Sequence, residues 1–245
     1  MTSKTKAIVI STVKFGDSDL IVKCFTPNGL RSYLLRRIYS SKNKQISIAH
    51  FQALNLLEIS GSDKKNGQLN AVKEVNIDVV YHSIPGDIYK QSMAIFMAEV
   101  LSSVIWEESD SLDLFNFLHT AFQWLDEHQN TANFHLVFLL KLTQYLGFYP
   151  ETKNSDFQFF NLLDGIFTKT YEQETCIDGP ILNVFKTLIG INFDSMEELK
   201  LSASSRQIIL EVLMKYYQIH LSGFRKPKSL EIFKELFHWY EESPN

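Results

Sequence analysis

Cysteine is scarce in this chain of 245 residues: there are two, Cys24 and Cys176. They lie far apart and form no Cys-x-x-Cys pair, which argues against a structural zinc site. Nothing else points outside the cell, so both read as reduced thiols in a cytoplasmic protein. No apolar run approaches the roughly 18 residues of a membrane span. The apolar stretch after Met-Thr-Ser-Lys, about five residues, is too short for the core of a signal peptide. Catalytic signatures are missing too. There is no Gly-x4-Gly-Lys-Ser/Thr phosphate loop, no dinucleotide fingerprint and no His-Glu-x-x-His motif. Gly61–Gly67 carries lysines but neither the phosphate-loop pattern nor the following helix. There is no internal repeat and no low-complexity segment.

What is present is ordinary for a folded soluble protein: 45% apolar and 21% charged residues. Aromatics reach 13%, with 19 Phe, which predicts well-filled cores. The length allows one large domain or two small ones. A net charge of −4 argues on its own against nucleic acid, but the distribution reverses that argument. Residues 1–80 hold 12 Lys and Arg against 6 Asp and Glu; the remainder holds 12 against 22. Such asymmetry suggests two domains with different partners, the basic one suited to a polyanion.

The first 80 residues read as strands. Ala7–Val13, Leu20–Phe25, Arg31–Arg37, Ser47–Ser60 and Leu69–Val80 are apolar or alternating runs, separated by turn clusters such as Lys14–Asp19 and Pro27-Asn28-Gly29. Tyr39–Gln45 reads as a mobile polar loop. Five short strands predict a small closed barrel, of the oligonucleotide/oligosaccharide-binding (OB) or the SH3-like kind. After Ser83-Ile84-Pro85-Gly86 the period becomes helical, through Met93, Met97, Val100 and Val104. Helices are expected over Leu112–His128, Ala132–Leu146, Pro180–Ile189, Ser204–Leu221 and Ser229–Tyr240, with a hairpin near 157–169 turning at Asp164-Gly165. The fold class is therefore α+β, with a barrel domain at 1–83 and a mostly helical domain at 84–245.

Few residues invite a catalytic role. His119, His128 and His135 cross a helix boundary at spacings that need not converge. Glu107, Glu108 and Asp110 read as a solvated helix end, Glu99 as a carboxylate at a helix's wet edge, and Cys24 as a small core residue. The informative set is basic and aromatic. Lys14, Lys23, Arg31, Arg36, Arg37, Lys42, Lys44, Lys64 and Lys65 fall on the strands and loops of one barrel, interleaved with Phe15, Tyr33 and Tyr39. Cations that follow phosphates and aromatic faces that stack bases are what a single-strand binder needs. On a strand, adjacent Arg36 and Arg37 would point to opposite faces unless the strand ends there.

The order of these features resembles the RecO family of bacterial recombination mediators. The resemblance rests on Lys6–Ile10, Lys14-Phe15-Gly16-Asp17-Ser18-Asp19 and Phe25-Thr26-Pro27-Asn28-Gly29-Leu30 at one end. At the other it rests on Tyr216–Arg225 followed by Lys228-Ser229-Leu230, with Leu146-Gly147-x-x-Pro150 between. It implies an N-terminal OB domain, no enzymatic activity, binding to single- and double-stranded DNA, and annealing of complementary strands. The partners it implies are RecR, the acidic tail of single-stranded-DNA-binding protein (SSB) and, indirectly, RecA. Many relatives carry a four-cysteine zinc site after the Leu-Gly-x-x-Pro stop; here that region has only Cys176, so no metal or cofactor is expected. Two rival readings remain: a protein-interaction module whose basic barrel docks an acidic peptide, and a hydrolase with a carboxylate site, for which no convergent set is visible.

Overall fold

Alternation of apolar residues over the first 80 positions builds a closed barrel. The computed structural model describes residues 2–39, 46–62, 64, 68–105 and 112–242, with backbone alone at 2 and 237–242. The strands are β1 (Thr2–Phe15), β2 (Asp19–Thr26), β3 (Gly29–Leu35), β4 (Leu56–Ser62) and β5 (Leu69–Val79). They close in the order β1-β2-β3-β5-β4, antiparallel throughout except for the parallel pair β3 and β5. This mixed five-stranded barrel, with a long first strand shared between β2 and β4, is of the OB type.

Ala7, Val9, Leu20, Val22, Cys24, Tyr33, Leu35, Leu57, Ile59 and Val75 fill the barrel interior. The segment expected as one strand over Ser47–Ser60 divides. Ile48–Phe51 is a 3₁₀ turn whose Phe51 plugs the barrel, and only Leu56–Ser62 joins the sheet. The cause is local. The Asn55 amide donates to the carbonyls of Ala49 and His50, and Leu54 takes a φ of 63°, which turns the chain back before β4. Gly61 sits at a register shift where a Cβ would lie 2.3 Å from the Ala71 carbonyl oxygen, so closure there requires glycine.

The chain forms two compact units, Met1–Glu127 with Pro227–Ser229, and His128–Lys226 with Leu230–Asn245. The first runs on past Ser83, where strands give way to helices, because the barrel's outside is itself apolar in part. Helix α1 (Ile88–Val104) packs on β1, whose outward Ile8 and Ile10 are buried. Helix α2 (Leu112–Glu127) packs on β2, with Phe115 6.3 Å from the outward Phe25 ring.

A polar clasp ties this unit together. The buried Asp126 carboxylate accepts the backbone N–H groups of His82, Ser83 and Ile84 at 2.8–2.9 Å. Burial alone would push its pKa up; those donations outweigh it and hold it below the usual carboxylate value. The buried Lys90 ammonium donates to the Ser83 hydroxyl and the Asp126 carbonyl, and burial pulls its pKa down.

The second unit is built on α3 (Phe134–Tyr145), buried nearly all round, as a sequence apolar on almost every side predicts. Helices α4 (Gly179–Gly190), α5 (Phe193–Met196) and α6 (Ala203–His220) pack on it, and α6 carries α7 (Leu230–Glu242). The expected hairpin is present as β6 (Phe159–Asn161) and β7 (Ile166–Thr168), and β8 (Cys176–Ile177) extends it to three strands. Phe160 anchors that sheet, 4.9 Å from the Phe185 ring and 5.0 Å from Phe167. No helix among the described residues is long and apolar enough to cross a membrane.

Candidate nucleic-acid interface

Register decides which side chains leave the barrel core. Lys23 lies between the interior residues Val22 and Cys24, so it points outward, and it is exposed. Across the sheet it pairs with Ser11 on β1 and Ser32 on β3, and Ser32 pairs with Leu69 on β5. The next outward row is Val13, Ile21, Leu34 and Ala71. Residues two apart on a strand are separated by about 6.6 Å, so the rows form a shallow face over β1, β2, β3 and β5. In barrels of this type the β2–β3 face and its bordering loops hold oligonucleotides.

One border of the face is the β1–β2 turn. Phe15 pairs with Asp19, and Leu20 with Leu35, which brings the end of β3 beside that turn. The Asp19 carboxylate accepts the Arg37 backbone N–H at 2.7 Å, and the Ser18 carbonyl accepts that of Tyr39 at 3.3 Å. The Lys14 ammonium sits 5.5 Å from the centre of the Tyr39 ring. Strand β3 stops at Leu35, and Arg37 adopts a φ of 55°. Neither arginine is therefore bound to strand alternation, and both are exposed. Lys14, Arg36 and Arg37 thus share one border; Asp17 in the turn is an exposed anion that subtracts from their potential. At another border, Lys64 is exposed and its backbone N–H donates to the Asn70 side chain at 2.7 Å, next to the start of β5.

Two expected site residues fall elsewhere. Arg31 pairs with Cys24, on the interior side of β3; it is 8% exposed, and its guanidinium donates to the Leu30 carbonyl. Tyr33 belongs to the core. Both follow from strand parity, which the sequence pattern masked because Leu34 and Leu35 are apolar on opposite sides. Lys42, Lys44 and Lys65, like the acidic group Glu107, Glu108 and Asp110, lie outside the described residues. The sequence reading missed Val13 and Leu69, apolar residues that are 59% and 39% exposed on the same face. Alternation alone could not find them: the β1 register shift between Val9 and Ser11 turns Val13 outward, and Leu69 faces out because it pairs with the outward Ser32.

The remaining titratable groups are engaged structurally. His119 is hydrogen-bonded to Asp78 at 2.8 Å and to Gln123, and Asp78 also pairs with Lys6 at 3.0 Å. Burial pushes Asp78 up, but the bonds from His119 and Lys6 prevail and its pKa is lowered. Glu99 is half-buried and accepts two bonds from Ser229. Burial pushes the Cys24 thiol well above its usual value, so it stays protonated in the core. Among the described residues no group of three or more His, Cys, Asp or Glu could hold a metal ion. Around Cys176 the polar groups bond to one another: the Asn161 amide donates to Asp164 and Glu172, and Thr175 donates to Glu172.

Comparison with known proteins covers nearly the whole chain. Residues 1–79 match the family described as Recombination protein O N terminal, and residues 85–231 match Recombination protein O C terminal. The DNA repair protein RecO of Flavobacterium psychrophilum is 45% identical over 238 residues, spanning 97% of this chain and 100% of that protein. The protein of the same description from Flavobacterium johnsoniae is 44% identical over 238 residues, with 97% and 100% covered. That of Christiangramia forsetii is 41% identical over 234 residues, with 95% and 98% covered.

Proposed function

The chain belongs to the RecO family of DNA repair and recombination proteins, and from that premise we propose that it is a recombination mediator whose barrel face binds DNA without regard to sequence. The family is non-enzymatic, so the task is one of electrostatics and exchange. The observation that carries the reading is the outward row through Lys23, bordered by Lys14, Arg36 and Arg37 at one turn and Lys64 at another. Each cation that neutralises a phosphate releases counterions, a contribution blind to base identity.

Annealing follows from the same physics. Two complementary strands repel each other, and a protein that neutralises phosphate lowers that repulsion while the strands search for register. No bond is made or broken in the protein. In the cell, the cytoplasmic setting of DNA repair, the strands are coated with SSB. Contact with the SSB tail and with RecR would bring this chain to coated DNA, so that RecA can replace the coat.

The test is annealing of two complementary strands carrying a donor and an acceptor dye, with and without SSB coating and RecR. The reading expects faster annealing of naked strands by the chain alone, continued annealing on coated strands, and loss of both in Lys23→Glu/Arg36→Glu. Annealing unchanged by the wild-type chain would refute it. Annealing that survives the double variant would move DNA off this face.

A further inference from the structure

The barrel's outer surface treats its apolar residues in two ways. Ile8, Ile10 and Phe25 point outward and are buried under α1 and α2. Val13, Phe15 and Leu69 also lie on the outer side but remain 59%, 54% and 39% exposed. Between them Ile21 and Leu34 are half-buried and Ala71 is exposed. An apolar strip left in water costs stability in proportion to its area, and this strip runs between the exposed cations Lys14, Lys23, Arg36, Arg37 and Lys64. An occupant must be apolar where it meets the strip and anionic at its edges. A single nucleic-acid strand has that character, with bases offering apolar faces and phosphates spaced beside them. A duplex does not, because its base faces are already stacked on each other.

We propose that the strip holds unpaired bases, with the Phe15 ring as a stacking surface, and so gives this chain a preference for single strands over duplex. The inference rests on the DNA-binding reading of the barrel. Phe15 is better placed than Tyr39, whose ring face already meets the Lys14 ammonium. Phe15 ends β1 opposite Asp19, at the tip of the β1–β2 hairpin, on the same outward side as Val13 and Ile21, and its ring is 54% exposed. Duplex DNA meets only the cations. A strand held by its bases therefore loses the strip as it pairs, and the annealed product keeps only salt-sensitive contacts. Release of product is then built into the pairing reaction.

The test is fluorescence anisotropy of the full chain against three labelled probes of equal phosphate number: a thymidine strand, an abasic strand and a duplex. Wild-type protein should bind the thymidine strand on the order of tenfold more tightly than the abasic strand. Phe15→Ala should abolish that ratio while leaving abasic and duplex affinities and the salt slope unchanged; Phe15→Trp should retain it. Equal binding of thymidine and abasic strands by wild type, or equal weakening of all three probes by Phe15→Ala, overturns the inference while the DNA reading stands. Failure of wild type to bind any probe overturns both.

Discussion

Changing Asp126 to Asn should loosen the junction that follows the barrel. Its Oδ1 accepts from the N–H groups of Ser83 and Ile84 at 2.8 and 2.9 Å, and Oδ2 from that of His82 at 2.8 Å. An amide keeps the first two as neutral bonds and turns its NH₂ against the His82 donor. Bonds to a charged acceptor contribute about 1 kcal/mol more than neutral ones, so the change costs on the order of 2–3 kcal/mol. The buried Lys90 ammonium also loses a neighbouring anion, so Lys90→Met should offset part of the loss in the double variant. The folded-state pKa of Asp126 is lowered, so its contribution is present above the ordinary value of 3.8 and is lost as pH falls below it. The gap between wild type and variant should narrow over that range. Urea unfolding followed by circular dichroism at about pH 7 and about pH 3 measures the gap. Hydrogen exchange of residues 82–84 reports the junction itself. A variant within about 0.5 kcal/mol of wild type, with unchanged exchange at 82–84, would refute the reasoning.

Acid should weaken the second unit through His135, whose buried ring has its pKa pulled from 6.5 down to about 3, first by burial and then by the Arg206 charge. The folded ring stays neutral while the unfolded one takes a proton. Stability is therefore full above 6.5 and falls towards pH 3, at about 1.4 kcal/mol per pH unit; a pH series of urea midpoints for His135→Gln should lack that slope. The three-stranded sheet should depend on Asn161, which bonds Asp164, Glu172 and the Leu163 N–H. Asn161→Ala should cost about 2–3 kcal/mol, whereas a chelator should leave the wild-type melting temperature unchanged in a calorimetric scan.

The strands and most helices were legible because period carries them. Alternation marked the barrel, and the apolar run over 132–146 marked the buried α3, trimmed by the structure to Phe134–Tyr145. What alternation could not give were places where the chain breaks period. The Leu54 turn divides the expected fourth strand, and the register shift after Val9 turns Val13 out. Strand β8, two residues long, is too short to show a period. The candidate site was legible as a set of cations but not as a face. Composition found Lys14, Lys23, Arg36, Arg37 and Lys64, while only pairing across the sheet separates them from Arg31, which turns inward. The Asp126 clasp joins residues more than 40 positions apart and left no local signal.

The claim that DNA lies on the barrel is tested most directly by the anisotropy of a labelled single strand across a salt series, for wild type and for Arg36→Glu/Arg37→Glu. Each phosphate contact adds about 0.7 to the slope of log affinity against log salt on single strands. Tight low-salt binding that falls steeply with salt, with a slope reduced by about 1.4 or binding lost altogether in the double variant, is the predicted result. No binding at low salt, or a variant indistinguishable from wild type, would contradict it.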